Sequence, residues 1–367
     1  MIDNNPRKVR IGRASYPNAA PNIYHRVVRT RRLGSTTVTA IGSGDLCLPT
    51  SASRGVPARD VEHALHEAIG FGIALFDVAP DPDSEKLAGG AVRAERARDR
   101  AVIATRVPVL DERPGAPRRD TLPERLPVLY LQHRVEAALR ATRLDALPLV
   151  QLALRPAWRA SPAWPELVGS CARLVREGKV LAWGAWLDEP PAADDEATPA
   201  LLAEPWLAAV SVVYHLCDRR AGPLLAAAAQ RELCVLARQP LAGGALAGQL
   251  GPGVRLPPRD DRNELDAATL ERIAVGVARL AALVVREPPA ARSCEAARQA
   301  AERAARTRPD HLECRDVAEL ALRLVIDRAG VALPRLHRRE HLLPAVAAAA
   351  APPLPADLAA EIDRIFD

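Results

Sequence analysis

Seven residues with charged or aromatic side chains lie just past short apolar runs of the sequence. Guanidinium groups favour carboxylate and phosphate partners, and indole rings add apolar area and a face that attracts cations. If the runs are parallel strands of one barrel, their carboxyl ends meet at one mouth. The pattern then predicts a binding site for a small anionic molecule, formed by Asp77, Arg106, Arg155, Trp158, Trp186, Arg238 and Arg335.

Two other patterns could hold a metal ion. Residues 337–341 read HRREH, which matches a zinc motif with two histidines on one helix face. Too little chain follows this motif for a distant third ligand, so we expect no zinc site. The acidic loop with Asp77, Asp81, Asp83 and Glu85 could bind a hard cation. We favour the alternative interpretation of this loop, in which the carboxylates are solvated and bind no metal, and Ser84 caps the next helix.

Short apolar runs alternate with helical periodicity along most of the chain. Strands are predicted at about residues 38, 74, 101, 147, 180, 208, 234 and 331, each followed by a helix or a long connection. Apolar strands in repeated βα units form a parallel sheet covered by helices, and eight such units close into a barrel. The sequence therefore predicts the α/β class and a (β/α)8 TIM barrel.

Two segments depart from this alternation of strands and helices. Residues 1–31 are basic and lack periodicity, so they are predicted to form an N-terminal arm, and the barrel is predicted over residues 32–367. Residues 249–312 form a predicted helical insertion between strand 7 and helix 7, at the barrel mouth. Either segment is a candidate docking site for a partner protein.

The composition excludes several classes of protein. With 49% hydrophobic and 26% charged residues, the chain of 367 residues is not disordered. No apolar stretch approaches the ~20 residues of a membrane span, and no signal sequence opens the chain, so we expect a cytoplasmic protein.

Six cysteines without a C-x-x-C pair indicate reduced core thiols. The net charge of +5 is spread along the chain and aromatic residues make up 3%, so nucleic-acid binding is not expected.

Several motifs then occur in an order that resembles the aldo-keto reductases over residues 32–365. RRLGSTTVTAIGSG resembles R-x-L-G-x-T-G-x-x-V-S-x-x-G-L-G, and FDVAPDPDSEKLAGGAVR resembles F-D-T-A-x-x-Y-G-x-S-E-x-x-L-G-x-A-L-R. REGKVLAWGAW resembles R-x-G-K-V-R-x-I-G-V-S-N. YHLCDR resembles Y-N-L-L-D-R, and LARQPLAGGALAG resembles A-Y-S-P-L-A-x-G-L-L-T-G. The resemblance implies the same barrel and a relation to enzymes that reduce carbonyls with NADPH.

The resemblance also shows where this chain departs from that chemistry. The family uses a tyrosine as the acid, a lysine and an aspartate that tune it, and a histidine that orients the substrate. Asp77 matches the aspartate, and Arg106 stands for the lysine. Pro82 replaces the tyrosine, in a loop that is one residue short, and Ala153 replaces the histidine. Proline has no proton to give, and a guanidinium stays protonated.

The positions that hold the cofactor in the family have changed as well. The pair that binds the nicotinamide amide falls on Trp186 and Leu187, and a nearby glutamine falls on Ser211. The stacking tyrosine falls on Arg238. Before the last helices, Arg335 replaces a glycine and His337 a phosphate-binding arginine, while Arg338 keeps a basic group there. We therefore expect no cofactor, or weak binding of NADP(H) at most.

These observations support two functional hypotheses, and whether the protein is an enzyme stays open. In the first, the chain has lost NADPH-dependent carbonyl reduction. It then acts as a non-redox catalyst or as a binding or accessory protein for an anionic ligand, with bacterial secondary metabolism as a candidate setting. In the second, it is an NADPH-dependent oxidoreductase with a rebuilt active site. A purely structural role is the alternative for the residues at the mouth: Asp77 and Arg106 would neutralise each other, and the tryptophans would fill space.

Overall fold

The computed structural model describes residues 28–46, 56–110, 120–190, 192, 195–248, 250–251, 253–256, 266–283 and 317–366. The first element is an antiparallel hairpin of β1 (Thr30–Leu33) and β2 (Thr36–Thr39). Gly34 supplies the positive φ of +55° that the tight turn requires. Leu33 and Val38 are buried and pack against apolar side chains at the amino-terminal ends of the barrel strands described below.

Eight parallel strands form the barrel, and each is paired with its neighbour in chain order. The sheet closes where Ile41 bridges Ala332 and where the Gly44 N–H donates to the Pro334 carbonyl at 2.8 Å. The predicted (β/α)8 barrel is thereby confirmed. Its strands are β3 (Ser43–Leu46), β4 (Leu75–Val78), β5 (Val102–Val107), β6 (Leu149–Ala153), β7 (Trp183–Trp186), β8 (Leu207–Val213), β9 (Cys234–Arg238) and β10 (Gly330–Leu333).

The first predicted strand was placed incorrectly. Residues 36–39 belong to the hairpin, and the first barrel strand is β3, which begins at Ser43. The half-exposed pattern of β2 suits a two-stranded hairpin, whereas a barrel strand between helices and core is covered on both faces. This shift places Asp45 at the carboxyl end of a barrel strand.

Helices follow the strands around the outside. Their bounds are α1 (Ala58–Gly70), α2 (Pro82–Ala94), α3 (Leu122–Arg125), α4 (Val128–Thr142), α5 (Trp164–Arg176), α6 (Ala197–Leu202), α7 (Gly222–Gln230), α8 (Ala267–Ala282), α9 (Val317–Ala329), α10 (Arg339–Ala350) and α11 (Ala356–Phe366). Pro127 separates α3 from α4. Proline lacks the N–H that an unbroken helix would need there.

The barrel interior changes from apolar to polar along the strands. Leu75, Val102, Leu149 and Leu236 fill its amino-terminal half. Side chains two residues apart on a strand point to the same face. Asp77, Gln151 and Arg238 therefore lie above this apolar layer, at the mouth.

The predicted segments at the two boundaries are described in part. Residues 1–27 of the predicted arm lie outside the described residues, and the hairpin begins at Thr30. Within the predicted insertion, α8 packs its Ile273 and Leu280 against α9 and α11. Residues 284–312 of the predicted insertion lie outside the described residues. In the described part of the chain, no helix combines the length and apolarity needed to cross a membrane.

Candidate functional site

Trp186 forms the centre of the barrel mouth. It ends β7 and is 8% exposed, and its indole N–H donates to Asp188 Oδ1 at 2.8 Å. Two guanidiniums stack on its ring: the Cζ atoms of Arg106 and Arg238 lie 3.9 and 3.6 Å from the ring centroid. The electron-rich face of the indole stabilises both cations. The structure therefore brings Arg106, Arg238 and Trp186 together, as the sequence predicted.

Arg238 is half-buried and contacts the chain that follows β7. One of its terminal nitrogens donates to the Leu187 carbonyl and lies 3.4 Å from the Asp188 carbonyl. Its Nε–H is buried and has no hydrogen-bond partner among the described residues. Burial lowers the pKa of Arg238 to about 10, against the opposing charge of Asp77. The group is still a cation at neutral pH, and one of its donors is unused.

Asp45 joins two of the predicted arginines, and the sequence analysis missed it. Its carboxylate forms an ion pair with Arg335 and lies 3.6 Å from Arg106. Asp45 has a positive φ of 45°, a conformation that non-glycine residues seldom adopt. The signal that could have found it is a carboxylate at the carboxyl end of the first barrel strand.

Asp77 is 1% exposed. Its two oxygens accept hydrogen bonds from Gln151 Nε2 at 3.0 Å and from the Asp45 backbone N–H at 3.3 Å. Burial raises the pKa of Asp77, and the nearby charge of Arg106 is the largest opposing influence. In the described part of the chain Asp77 has no direct ion pair, because Arg106 pairs with Asp45. Gln151, a second residue that sequence reasoning missed, is thus the side chain that holds Asp77.

Pro82 and Ala153, the residues predicted to stand for the family's tyrosine and histidine, both have structural roles. Pro82 is the first residue of α2, where a missing N–H costs nothing, and it is exposed. Asp81 caps this helix by accepting from the Ser84 N–H at 2.9 Å, so the expectation that Ser84 is the cap was wrong. Ala153 is buried at the end of β6 as the cross-strand partner of Trp186.

Arg155 and Trp158 form a separate cluster. Arg155 makes an ion pair with Asp120, and its guanidinium lies 5.6 Å from the centroid of the Trp158 ring. The Trp158 indole N–H donates to the Asp120 carbonyl at 2.9 Å. These contacts tie the chain that follows β6 to the segment that precedes α3. They do not connect the pair to the group around Trp186.

Of the three residues aligned with the family's cofactor-binding positions, Ser211 lies in β8, whereas His337 and Arg338 are neighbours just before α10. Ser211 is fully buried in β8, and its Oγ has no hydrogen-bond partner in the described part of the chain. His337 packs edge-on against His341 with ring centroids 5.1 Å apart, and Arg338 is exposed beside Glu340 at 3.6 Å. Among the described residues, no group of three or more His, Cys, Asp or Glu side chains is arranged to hold a metal ion.

Comparisons with known proteins agree with this fold. The model of the Aldo/keto reductase family matches residues 40–367. An aldo-keto reductase from Bacillus halodurans in its holo form shares 19% identity over 93% of this chain and 97% of its own, with a TM-score of 0.63. The glycerol dehydrogenase of Gluconobacter oxydans shares 20% over 92% and 94%, with a TM-score of 0.65.

An aldo-keto reductase from Klebsiella pneumoniae, solved in complex with NADPH, is 25% identical. The similarity covers 93% of this chain and 95% of that one, with a TM-score of 0.58. No curated protein matches.

Proposed function

Because the chain belongs to the aldo/keto reductase family, we propose that it uses the mouth of the family's barrel to bind a small anionic molecule and not to reduce carbonyls with NADPH. The observation that carries this proposal is Arg238, a half-buried cation stacked on Trp186 whose buried Nε–H has no hydrogen-bond partner among the described residues. A buried donor without a partner is unfavourable by about 1–3 kcal/mol, so a ligand that accepts from it gains affinity.

The surroundings of Arg238 favour an anion as that ligand. The guanidinium of Arg106 stacks on the same Trp186 ring as that of Arg238. A third guanidinium, that of Arg335, forms an ion pair with Asp45, which also lies next to Arg106. Several guanidiniums in a partly enclosed site attract a carboxylate or a phosphate, because charge-assisted hydrogen bonds are stronger where water is scarce. Bound in this way, the molecule would be either the substrate of a redox-neutral reaction or the ligand of a binding or accessory protein.

The residues at the positions of the family's catalytic groups oppose carbonyl reduction by the family's mechanism. Pro82 and Ala153 stand where the acid and the orienting histidine are expected, and neither can donate a proton. Arg106 is engaged by Asp45 and by Trp186.

The residues also do not fit a nicotinamide ring. At the position of the family's stacking tyrosine is Arg238, whose guanidinium lies 3.6 Å from the centroid of Trp186. At the positions that bind the nicotinamide amide are Trp186 and the buried Leu187, whose carbonyl already accepts from Arg238. A nicotinamide in this place would have to displace the Arg238 guanidinium from the Trp186 ring and from the Leu187 carbonyl.

One observation favours the second candidate, an NADPH-dependent oxidoreductase with a rebuilt site: the similarity to the Klebsiella pneumoniae protein solved with NADPH. We expect fluorescence titration of the full-length protein with NADPH to show no saturable binding at micromolar concentrations. The Arg238→Tyr variant is the matched control, because it restores the stacking residue of the family. Tight, saturable binding by the wild type would support the oxidoreductase.

Thermal melts test the anion site directly, with benzoate, succinate, inorganic phosphate and glycerol phosphate as probes. At least one of them is expected to raise the Tm of the wild type. Arg238→Ala should weaken that probe by roughly 1.5–3 kcal/mol, or about 10-fold to 150-fold, the range of a lost charge-assisted hydrogen bond.

Arg155→Ala is the matched control, since Arg155 also lies near a tryptophan but belongs to the separate cluster with Asp120 and Trp158. It should leave the affinity unchanged. A wild type whose Tm no probe raises, or equal losses in both variants, would contradict the anion site.

A further inference from the structure

Charges of both signs are balanced around Trp186. The described residues linked by contacts at the mouth comprise three cations, Arg106, Arg238 and Arg335, and three carboxylates, Asp45, Asp77 and Asp188. The neighbouring strands β6 and β8 add only the neutral side chains of Gln151 and Ser211. An anion that enters this group adds one uncompensated negative charge.

The three carboxylates differ in how well their negative charge is stabilised. Asp45 has an ion pair with Arg335 and a second guanidinium at 3.6 Å. Asp188 is exposed to solvent. Asp77 is buried, and among the described residues its hydrogen bonds come from one amide and one backbone N–H. A buried carboxylate without a direct ion pair is the one most easily neutralised by a proton.

We propose that the mouth takes up one proton with each anion that it binds, and that Asp77 receives this proton. The inference rests on the anion-binding function proposed above and deepens it. Burial raises the pKa of Asp77 against the opposing charge of Arg106, and the negative charge of Asp45 raises it further. A second negative charge at the mouth acts in the same direction as Asp45. The pKa of Asp77 therefore rises further when the anion binds, and protons are taken up.

Gln151 is placed to serve both protonation states of Asp77. Its Nε2 donates to the carboxylate, while its Oε1 is buried and has no hydrogen-bond partner in the described part of the chain. A side-chain amide presents a donor and an acceptor on one planar group. Rotation of this amide would let Oε1 accept from the hydroxyl of protonated Asp77. The unused acceptor thus gives the neutral acid a partner without any change in packing.

Isothermal titration of benzoate into the full-length protein tests the inference. Benzoate stays ionised over the range used, from about pH 5.5 to 9, so any protons taken up are bound by the protein and not by the ligand. Titrations in buffers of different ionisation enthalpy should show roughly 0.5–1 proton taken up per benzoate at the pH of greatest uptake. Above the pKa of Asp77 in the free protein, the affinity should fall by up to ~10-fold per pH unit.

Two variants separate the possible outcomes. Asp77→Asn resembles the protonated acid, so it should bind benzoate without proton uptake and with an affinity that does not change with pH. Asp120→Asn removes a carboxylate of the separate cluster with Arg155 and Trp158, and should behave as the wild type does. If Asp77→Asn does not fold, infrared difference spectra of the wild type should show the gain of one protonated carboxyl group on binding.

Benzoate binding without proton uptake, or uptake that persists in Asp77→Asn, would overturn this inference and leave the anion site intact. A wild type that does not bind benzoate at any pH would overturn the proposed site and the inference together.

Discussion

Carbonyl reduction with NADPH by the full-length protein is expected to be at least ~10²-fold to ~10⁴-fold slower than by an ordinary reductase, because general acid catalysis contributes about that factor. In this chain Pro82 begins a helix where the family has its acid, and Ala153 stands for the orienting histidine. The loss of NADPH absorbance in the presence of aldehydes and ketones measures this rate.

Restoring the acid alone should not restore the reaction. In Pro82→Tyr the new phenol would start from the exposed first turn of α2, and the mouth would still be occupied by Arg238 and Trp186. We expect the rate of this variant to stay at the level of the wild type. Wild-type turnover of about 1–10³ per second, the ordinary range for enzymes, would contradict the expectation and favour the oxidoreductase.

Replacing Gly44 by alanine is expected to be among the most destabilising single substitutions in the barrel. A Cβ at this position would lie 2.2 Å from the Leu333 carbonyl oxygen, a backbone atom of β10. The closing hydrogen bond from the Gly44 N–H to Pro334 prevents the two strands from moving apart freely. We expect Gly44→Ala to lower the free energy of unfolding by about 3 kcal/mol or more, at the upper end of the range for overpacking.

Gly169→Ala is the matched control for that substitution. Gly169 lies in α5, where an added Cβ meets nothing within 4 Å. Alanine is the better helix former by up to ~1 kcal/mol, so this variant should be slightly more stable than the wild type. Denaturant unfolding curves of both variants measure the difference. If Gly44→Ala unfolds at the same denaturant concentration as the wild type, β3 and β10, the two strands that close the barrel, are packed less tightly than the structure indicates.

The architecture could be predicted from the sequence because it depends on local periodicity. Apolar runs of strand length alternate with helical segments, and that repeat leaves the eight-stranded parallel barrel as the arrangement that buries all of them. The replacements Pro82 and Ala153 could also be found in advance, because a side chain without a titratable proton lacks it in any fold. The boundaries of the predicted arm and insertion stay predictions.

Only the tertiary structure decided which charged groups meet. Arg106 and Arg155 both follow predicted strands, yet one lies against Trp186 and the other pairs with Asp120. The partnership of Asp45 with Arg335 joins residues at opposite ends of the chain, across the seam where the barrel closes. Arginine side chains are long, and several carboxylates lie within their reach. Their partners therefore depend on the path of each loop and on the space left by neighbours, which strand periodicity does not contain.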